Sequence, residues 1–367
     1  LCARWAREDP ERIGLIHLLP DGRVERWRRA DLDRAACRLA NGLAARGIGR
    51  GDRVGVLLPQ APETLVTHLA AYRLGAIAVP LFTLFGADGL AFRLADSGAV
   101  ALVTDRANLS KVLGIRDDLA DLRLILCTDG PADGAESLPA LMAASRDSHE
   151  MAMTGPEDPA FLSYTSGTTG PPKGALHGHR VLPGHLPGVA LVHDFPPQKG
   201  DLFWTPADWA WVGGLCNILM PALAWGVPVL AHRMEKFDPE RTFALMRDHG
   251  VRNSFLPPTA LKLMRQVQDP ARFGVTLRSV GSGGESLGTE LLDWGRAALG
   301  QTIHEFYGQT ECNMLLANNA AVTPVKPGSM GRVVPGYDVA ILDSEGQEVP
   351  RGEAGEIAMR RGGASMF

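Results

Sequence analysis

The residues with the clearest chemical potential lie in one short segment, residues 164–174, which reads Tyr-Thr-Ser-Gly-Thr-Thr-Gly-Pro-Pro-Lys-Gly. The segment follows an apolar run and combines hydroxyl side chains, glycines and one lysine. Glycines let the backbone approach a charged ligand, hydroxyls donate to phosphoryl oxygens, and lysine adds a mobile positive charge. The segment therefore predicts an anion-binding loop with the candidate ligands Thr165, Ser166, Gly167, Thr168, Thr169, Gly170 and Lys173.

The spacing of this loop differs from that of a P-loop nucleotide-binding motif. That motif has Gly-x4-Gly-Lys-Ser/Thr leading into a helix, whereas here two prolines precede Lys173 and Gly174 follows it. A P-loop NTPase is therefore disfavoured. An ordinary Gly/Ser/Thr turn is the other interpretation, but so many residues biased toward one chemistry make it the weaker one.

A second polar segment, residues 305–311, reads Glu-Phe-Tyr-Gly-Gln-Thr-Glu and also follows a predicted strand. The Tyr307 ring can stack on a purine, and Thr310 can donate to an α-phosphate. Glu311 is a hard carboxylate suited to Mg2+ carried by a nucleotide. Capping of the strand end is the alternative role for Thr310 and Glu311. The occurrence of both segments in one chain, about 140 residues apart, makes this capping role the weaker interpretation.

In type and order these segments resemble the motifs of the adenylate-forming superfamily, which includes acyl-CoA synthetases, luciferases and peptide-synthetase adenylation domains. The resemblance implies that the 164–174 loop holds the β- and γ-phosphates of ATP and that Thr168 and Glu311 hold Mg2+. Residues 279–286 resemble the adenine-side segment of the family. Implied catalytic residues are Lys173, Thr310 and Glu311, and implied adenine or AMP-binding residues are Gly284, Glu285, Ser286, Glu305, Phe306, Tyr307, Gly308, Gln309 and Thr310.

Residues 207–214 resemble a segment shared by acetyl- and medium-chain acyl-CoA synthetases, in which an aromatic residue lines the acyl pocket. Trp211 is the matching residue, whereas Trp209 is as well explained by packing in the core. Acetyl-specific relatives carry tryptophan where this chain has Gly308, so a longer chain or a ring is expected to fit. The implied pocket residues are Trp211, Gly213, Gly283 and Gly308.

The resemblance implies an AMP-forming acid–thiol ligase that uses ATP, Mg2+ and CoA with a medium-chain or aromatic carboxylic acid. It also implies that the ribose-binding aspartate and the mobile C-terminal lid with its lysine lie beyond Phe367, so that this chain is the large N-terminal part and is impaired alone. A truncated, non-catalytic ATP- or acyl-adenylate-binding protein is the non-enzyme alternative.

The sequence also contains the partial patterns of two other site types. Residues 284–288 satisfy Gly-x-Ser-x-Gly, which suggests an α/β-hydrolase with Ser286 as nucleophile, but the only later histidine, His304, follows too closely for that fold. A metal cluster is a second alternative. Irregular glycine- and proline-rich spacing favours surface or outer-sphere roles for the histidines concerned, His177, His179, His185 and His193.

The segments that position these motifs alternate between short apolar runs and amphipathic stretches. This pattern predicts an α/β fold with two doubly wound, mostly parallel sheets and flanking helices. Glycine-punctuated short strands near the end predict a small, truncated β-barrel-like subdomain. The expected divisions are an N-terminal helical segment packed on the second α/β subdomain (1–50), a first α/β subdomain with the phosphate loop (51–195), a second with the adenine and acyl site (196–315), and the β subdomain (316–367).

Composition excludes several other classes. The 367 residues carry 37 basic and 41 acidic side chains without a polybasic run, which argues against a nucleic-acid partner. The uncharged stretch 209–231 is long enough for a membrane span, but its glycines and prolines favour buried core elements. Five scattered cysteines predict a reducing, cytoplasmic setting.

Overall fold

Helices and strands alternate along the chain in a computed structural model that describes residues 2–165 and 170–360. The strands are β1 (Ile13–Leu18), β2 (Val24–Arg28), β3 (Arg53–Leu57), β4 (Ile77–Pro80), β5 (Ala99–Thr104), β6 (Leu124–Cys127), β7 (Glu136–Ser137), β8 (Pro159–Thr165), β9 (Lys173–Gly178), β10 (Phe203–Trp204), β11 (Val229–Ala231), β12 (Asn253–Phe255), β13 (Ser279–Gly283), β14 (Ile303–Gln309), β15 (Asn313–Ala317), β16 (Arg332–Val333), β17 (Val339–Leu342) and β18 (Glu356–Met359).

The helices connect these strands. They are α1 (Cys2–Glu8), α2 (Arg29–Ala44), α3 (Pro62–Leu74), α4 (Ala87–Asp96), α5 (Arg106–Leu113), α6 (Leu138–Ala143), α7 (Val181–Val192), α8 (Val212–Gly214), α9 (Met220–Ala224), α10 (Pro239–His249), α11 (Pro258–Met264) and α12 (Thr289–Trp294). Two short 3-10 segments (Arg116–Asp118 and Pro270–Phe273) and two π segments (Leu215–Leu219 and Gly295–Leu299) complete them.

The chain divides into two compact units, of which the first comprises Leu1–His179 and Asp201–Phe237. Its larger sheet has the order β7-β6-β5-β3-β4-β8-β9, in which only β9 runs antiparallel to its neighbour. Every residue of β5 is buried, as expected for an apolar strand covered on both faces. The other strands of this unit pair in the order β10-β11-β1-β2.

The second unit comprises Arg180–Gly200 and Asp238–Phe367. Strands β12, β13 and β14 are parallel, and β15 and β16 continue antiparallel from β14. Strands β17 and β18 form a separate antiparallel pair. Helix α10 begins as Asp238-Pro239 predicts, because the Asp238 carboxylate accepts a hydrogen bond from the Arg241 amide.

The α/β architecture with mostly parallel sheets and flanking helices is therefore confirmed. Two local features differ from the sequence prediction. Residues 1–50 were expected to be helical but include the hairpin β1–β2, because β1 also pairs with the distant strand β11. Of the histidines expected at the surface or in outer-sphere roles, His177, His185 and His193 are nearly fully buried, so a surface location is wrong for these three.

The uncharged stretch 209–231 forms short core elements, as predicted. Trp209 is fully buried there, and helices α8 and α9 precede the buried strand β11. No helix in the part of the chain that the structure describes has both the length and the apolar character needed to cross a membrane.

Candidate active site

The predicted phosphate loop connects two strands of the first unit. Thr165 ends β8 and lies opposite Lys173, the first residue of β9, so the loop closes an antiparallel hairpin. Lys173 is exposed, and Gly170 adopts a left-handed φ of 83°. The other predicted ligands, Ser166, Gly167, Thr168 and Thr169, lie outside the described residues. Strand β9 was not predicted, because it depends on pairing with β8.

Tyr164 fixes the base of this hairpin. Its buried hydroxyl donates a hydrogen bond to the Asp96 carboxylate at the end of α4, at 2.7 Å. Burial and the nearby Asp96 carboxylate raise the pKa of Tyr164 well above its ordinary value. The ring of Phe92 packs edge-on against the Tyr164 ring. Sequence analysis did not single out this anchor, because Tyr164 and Asp96 are distant in sequence.

The second polar segment forms another hairpin in the second unit. Strand β14 ends at Gln309, residues 310–312 form the turn, and β15 begins at Asn313. Tyr307 is half-buried, and the Gln309 amide nitrogen lies 3.3 Å from its hydroxyl. Thr310 is half-buried in the turn, whereas Glu311 is exposed. Because Glu311 is exposed, its carboxylate oxygens are accessible to a cation.

Gly308 is required by the closure of this hairpin. A Cβ atom built there would lie 1.3 Å from the carbonyl oxygen of Asn313. The register shifts between Tyr307 and Gly308, and Asn313 adopts a left-handed φ of 53°. Sequence analysis explained this glycine only as the absence of a pocket wall. The structure adds a second reason, namely that the backbone leaves no room for a side chain.

The predicted adenine-side loop follows β13, which pairs with β14 in parallel. Gly283 has no space for a side chain, since a Cβ atom there would lie 2.6 Å from the Phe306 ring. Gly284, Glu285 and Ser286 are all exposed. The next residue, Leu287, is buried, and its amide donates to the Glu305 carboxylate at 3.0 Å.

Ser286 lacks the partner that a hydrolase requires. In His304, the only later histidine, Nδ1 lies 2.7 Å from the carbonyl oxygen of Val192. The Ala320 amide donates to Nε2 of the same ring at 3.0 Å. Because both ring nitrogens are already engaged, His304 cannot serve as the base for Ser286. The structure therefore does not support the hydrolase alternative.

The predicted acyl-pocket residues occur in both units. Trp211 and Gly213 belong to the first, and Gly283 and Gly308 to the second. The Trp211 side chain is 43% exposed and contacts Phe82 and Phe85, whose ring centroids lie 5.5 and 6.5 Å away. Phe82 and Phe85 were missed by sequence analysis. They extend Trp211 into an aromatic surface.

Asp208, just before this aromatic surface, is a further residue that sequence analysis did not assign a role. Its carboxylate accepts a hydrogen bond from the Ala210 amide at 2.8 Å. Burial raises the pKa of Asp208 to about 6, although Arg233 acts in the opposite direction. A carboxyl group with such a pKa changes its charge near neutral pH.

The histidines do not form a metal centre. The His177 ring stacks on Phe161 at 4.5 Å, and His193 Nδ1 lies 2.8 Å from the Ser279 hydroxyl. Among residues 2–165 and 170–360, no group of three or more histidine, cysteine, aspartate or glutamate side chains is arranged to hold a metal ion. His177 thus takes part in ring stacking and His193 in a hydrogen bond.

The profile of the family described as AMP-binding enzyme matches residues 2–367. The chain belongs to the AMP-binding enzyme family. As a member of that family it is 32% identical to an acetyl-coenzyme A synthetase of Bacillus subtilis over 353 residues, which cover 94% of the chain and 61% of that relative.

Two further proteins are similar to this member of the family over nearly its whole length. A mitochondrial acyl-coenzyme A synthetase, ACSM4, of Rattus norvegicus is 31% identical over 98% of the chain and 62% of its own length. An anthranilate CoA ligase solved with anthranoyl-AMP has a TM-score of 0.92 and 25% identity, with coverage of 99% of the chain and 69% of that structure. The chain thus spans about three fifths of the length of the Bacillus subtilis acetyl-coenzyme A synthetase and of ACSM4.

Proposed function

We propose that this chain is the nucleotide- and acyl-binding part of an AMP-forming acyl-CoA synthetase. The observation that carries the proposal is the β14–β15 turn within a chain of the AMP-binding enzyme family. Strand β14 of this hairpin carries the half-buried Tyr307, and the turn that follows carries the Thr310 hydroxyl and the exposed Glu311. These are groups that can stack on a purine, donate to a phosphate and bind a hard cation.

In the first step, a carboxylate oxygen of the acid attacks the α-phosphorus of ATP. A new P–O bond forms, the bond to the β-phosphate oxygen breaks, and pyrophosphate leaves with the electron pair. In the second step, the CoA thiol loses its proton and its sulfur attacks the acyl carbonyl carbon. The C–S bond of the thioester forms, the acyl C–O bond to AMP breaks, and AMP leaves with the electron pair. The protein contributes mainly alignment and charge neutralisation in the first step.

Each predicted residue takes one role in this scheme. Lys173, at the start of β9, and the hydroxyls of the 164–174 loop bind the departing pyrophosphate. Tyr307 and the loop after β13 place the adenine, and Thr310 donates to the α-phosphate. Glu311 and Thr168 would hold a Mg2+ ion bound with the nucleotide, and that ion would offset the phosphate charge. The accessible oxygens of Glu311 are the hard donors this ion prefers.

We propose a medium-chain or aromatic acid as the substrate. Trp211, Phe82 and Phe85 provide an aromatic surface in the first unit, which suits an apolar acyl group. The similar anthranilate CoA ligase was solved with anthranoyl-AMP, whose acyl group contains an aromatic ring. Hexanoate, octanoate or benzoate should therefore be activated more efficiently than acetate.

A binding protein without turnover is the second candidate. It is favoured by one observation, namely that the chain covers only 61% and 62% of its curated relatives. If residues outside this chain complete the site, the chain alone binds ATP or acyl-adenylate but turns over slowly.

Pyrophosphate release across an acid panel tests the proposal. The native protein, with any sequence beyond residue 367, is assayed with ATP and acetate, hexanoate, octanoate or benzoate. ATP binding by residues 1–367 is measured separately by calorimetry. Acid-dependent pyrophosphate release supports the ligase, whereas nucleotide binding without release in both forms supports the binding protein. Absence of both refutes the nucleotide site, and a preference for acetate refutes the acyl assignment.

A further inference from the structure

The buried carboxylate of Glu305 is the feature that extends the proposed site. Glu305 lies on β14, two residues before Tyr307, and is only 5% exposed. A buried carboxylate is costly unless hydrogen bonds compensate for its lost hydration. Here Oε1 accepts the Leu287 amide hydrogen at 3.0 Å. A charged acceptor makes such a bond roughly twice as strong as a neutral one.

The loop that this bond holds has few other attachments. Residues 284–286 and Gly288 are exposed, and both Gly284 and Gly288 adopt left-handed φ angles, 95° and 76°. The Glu285 carboxylate lies 3.6 Å from the Lys262 ammonium, but both side chains are more than half exposed, so that pair adds little. Leu287 is the one buried residue in the loop. Its side chain and its amide are therefore the points at which the loop is anchored.

The backbone of Glu305 is itself fixed. Its carbonyl oxygen accepts hydrogen bonds from the Asn318 amide at 3.0 Å and from the Asn318 side chain at 3.3 Å. Asn318 is also buried. The carboxylate thus projects from a rigid strand position and joins the loop after β13 to the strand that carries Tyr307.

We propose that Glu305 is a positioning residue, which holds the loop of residues 284–288 at a fixed distance from Tyr307 so that the two can enclose a purine. This inference rests on the proposed function. It also changes the role that the sequence suggested for Glu305. The carboxylate acts on the nucleotide through Leu287 and the loop, and it need not contact the base itself.

Two variants of similar size distinguish the hydrogen-bond acceptor role of the Glu305 side chain from its contribution to packing. Glu305→Gln keeps an oxygen that can accept the Leu287 hydrogen, whereas Glu305→Leu removes it. In the native protein, Glu305→Leu should raise the KM for ATP about tenfold, since it leaves the buried amide unpaired. The KM for the acid should stay unchanged, and the preference for ATP over GTP should fall. Glu305→Gln should stay within about threefold of wild type.

A matched control is Glu290→Gln on α12, which removes an exposed ion pair with Arg265. It should change neither KM. Equal ATP KM values for wild type and Glu305→Leu would overturn the inference, as would a rise of both KM values by the same factor. If the wild-type protein releases no pyrophosphate with any acid, the proposed function fails instead.

Hydrogen exchange provides a test that does not require the leucine variant to fold. In the wild-type protein, the Leu287 amide should exchange at least about tenfold more slowly than the amide of its exposed neighbour Ser286. The Gln variant should keep this protection. Equal exchange rates at Leu287 and Ser286 would show that the Glu305 bond is absent and would overturn the inference.

Discussion

Substitution of Gly308 by alanine tests whether the hairpin that carries Thr310 and Glu311 depends on a missing side chain. The added Cβ would lie 1.3 Å from the Asn313 carbonyl oxygen, whereas real Cβ contacts essentially never fall below 3.0 Å. The two strands must therefore separate by roughly 2 Å, because backbone atoms on both sides leave no flexible group that can yield.

The magnitude follows from what this separation disrupts. Gly308 pairs with Met314, and Gln309 pairs with Asn313, at the closed end of the hairpin. Each lost backbone hydrogen bond costs about 0.5–1.5 kcal/mol net, so the free energy of unfolding should fall by about 2–4 kcal/mol once strain is included. The displaced turn should also lower pyrophosphate release about a hundredfold, since an error of about 1 Å in a catalytic group can cost that much.

Urea unfolding and pyrophosphate release measure these two effects in the native protein. Gly49→Ala is the matched control, because a Cβ at Gly49 meets nothing within 4 Å. The control should leave stability within about 0.5 kcal/mol of wild type. If Gly308→Ala also stayed within that range and retained full activity, the steric argument would be refuted. Lack of space beside the Asn313 carbonyl oxygen would then not explain the glycine, and the acyl pocket would be the remaining explanation.

Further substitutions test the site assignment and the buried ionisable groups. Lys173→Ala should slow pyrophosphate release by about tenfold or less, and Glu311→Gln by about a hundredfold, because Glu311 is assigned to the metal; full release in both variants would show that the assignment is wrong. Burial raises the pKa of Asp208 to about 6 from 3.8, so the folded state binds the proton more tightly than the unfolded chain. Unfolding free energy should therefore decrease by up to about 2–3 kcal/mol as pH rises from 4 to 6, and Asp208→Asn should remove this decrease in urea titrations. Burial lowers the pKa of His193 to about 3 from 6.5, and the charge of Arg278 acts in the same direction. The free energy of unfolding should therefore decrease as the pH falls from 6.5 to about 3, because the unfolded chain binds the proton more tightly. A His193→Gln variant that loses the same unfolding free energy over this pH range would contradict the reasoning.

Much of the fold could be predicted because its signals are local. The buried strand β5 is a continuous apolar run, and α10 begins at an aspartate followed by proline. Each polar motif contains a strand end, since Thr165 ends β8 and Gln309 ends β14, but β14 runs three residues beyond the predicted end at Phe306. Each of these features depends on residues that are only a few positions apart in the sequence.

Other parts of the fold could not be predicted, because they depend on strands that pair across long stretches of chain. The hairpin β1–β2 lies in a region expected to be helical, and it joins the sheet through β11, about 200 residues later. Strand β9 likewise follows the predicted loop only because β8 is available beside it.

The amino-acid sequence by itself determined which chemical groups this protein carries, in what order, and on an α/β framework, because residue types and periodicity are properties of the chain. Only the tertiary structure decided how those groups are held. It shows that Glu305 bonds to the Leu287 amide, and that Gly308 faces the Asn313 carbonyl oxygen. Both contacts form only when separate strands and loops pack together. Their geometry is set by backbone positions that no local pattern of residues specifies.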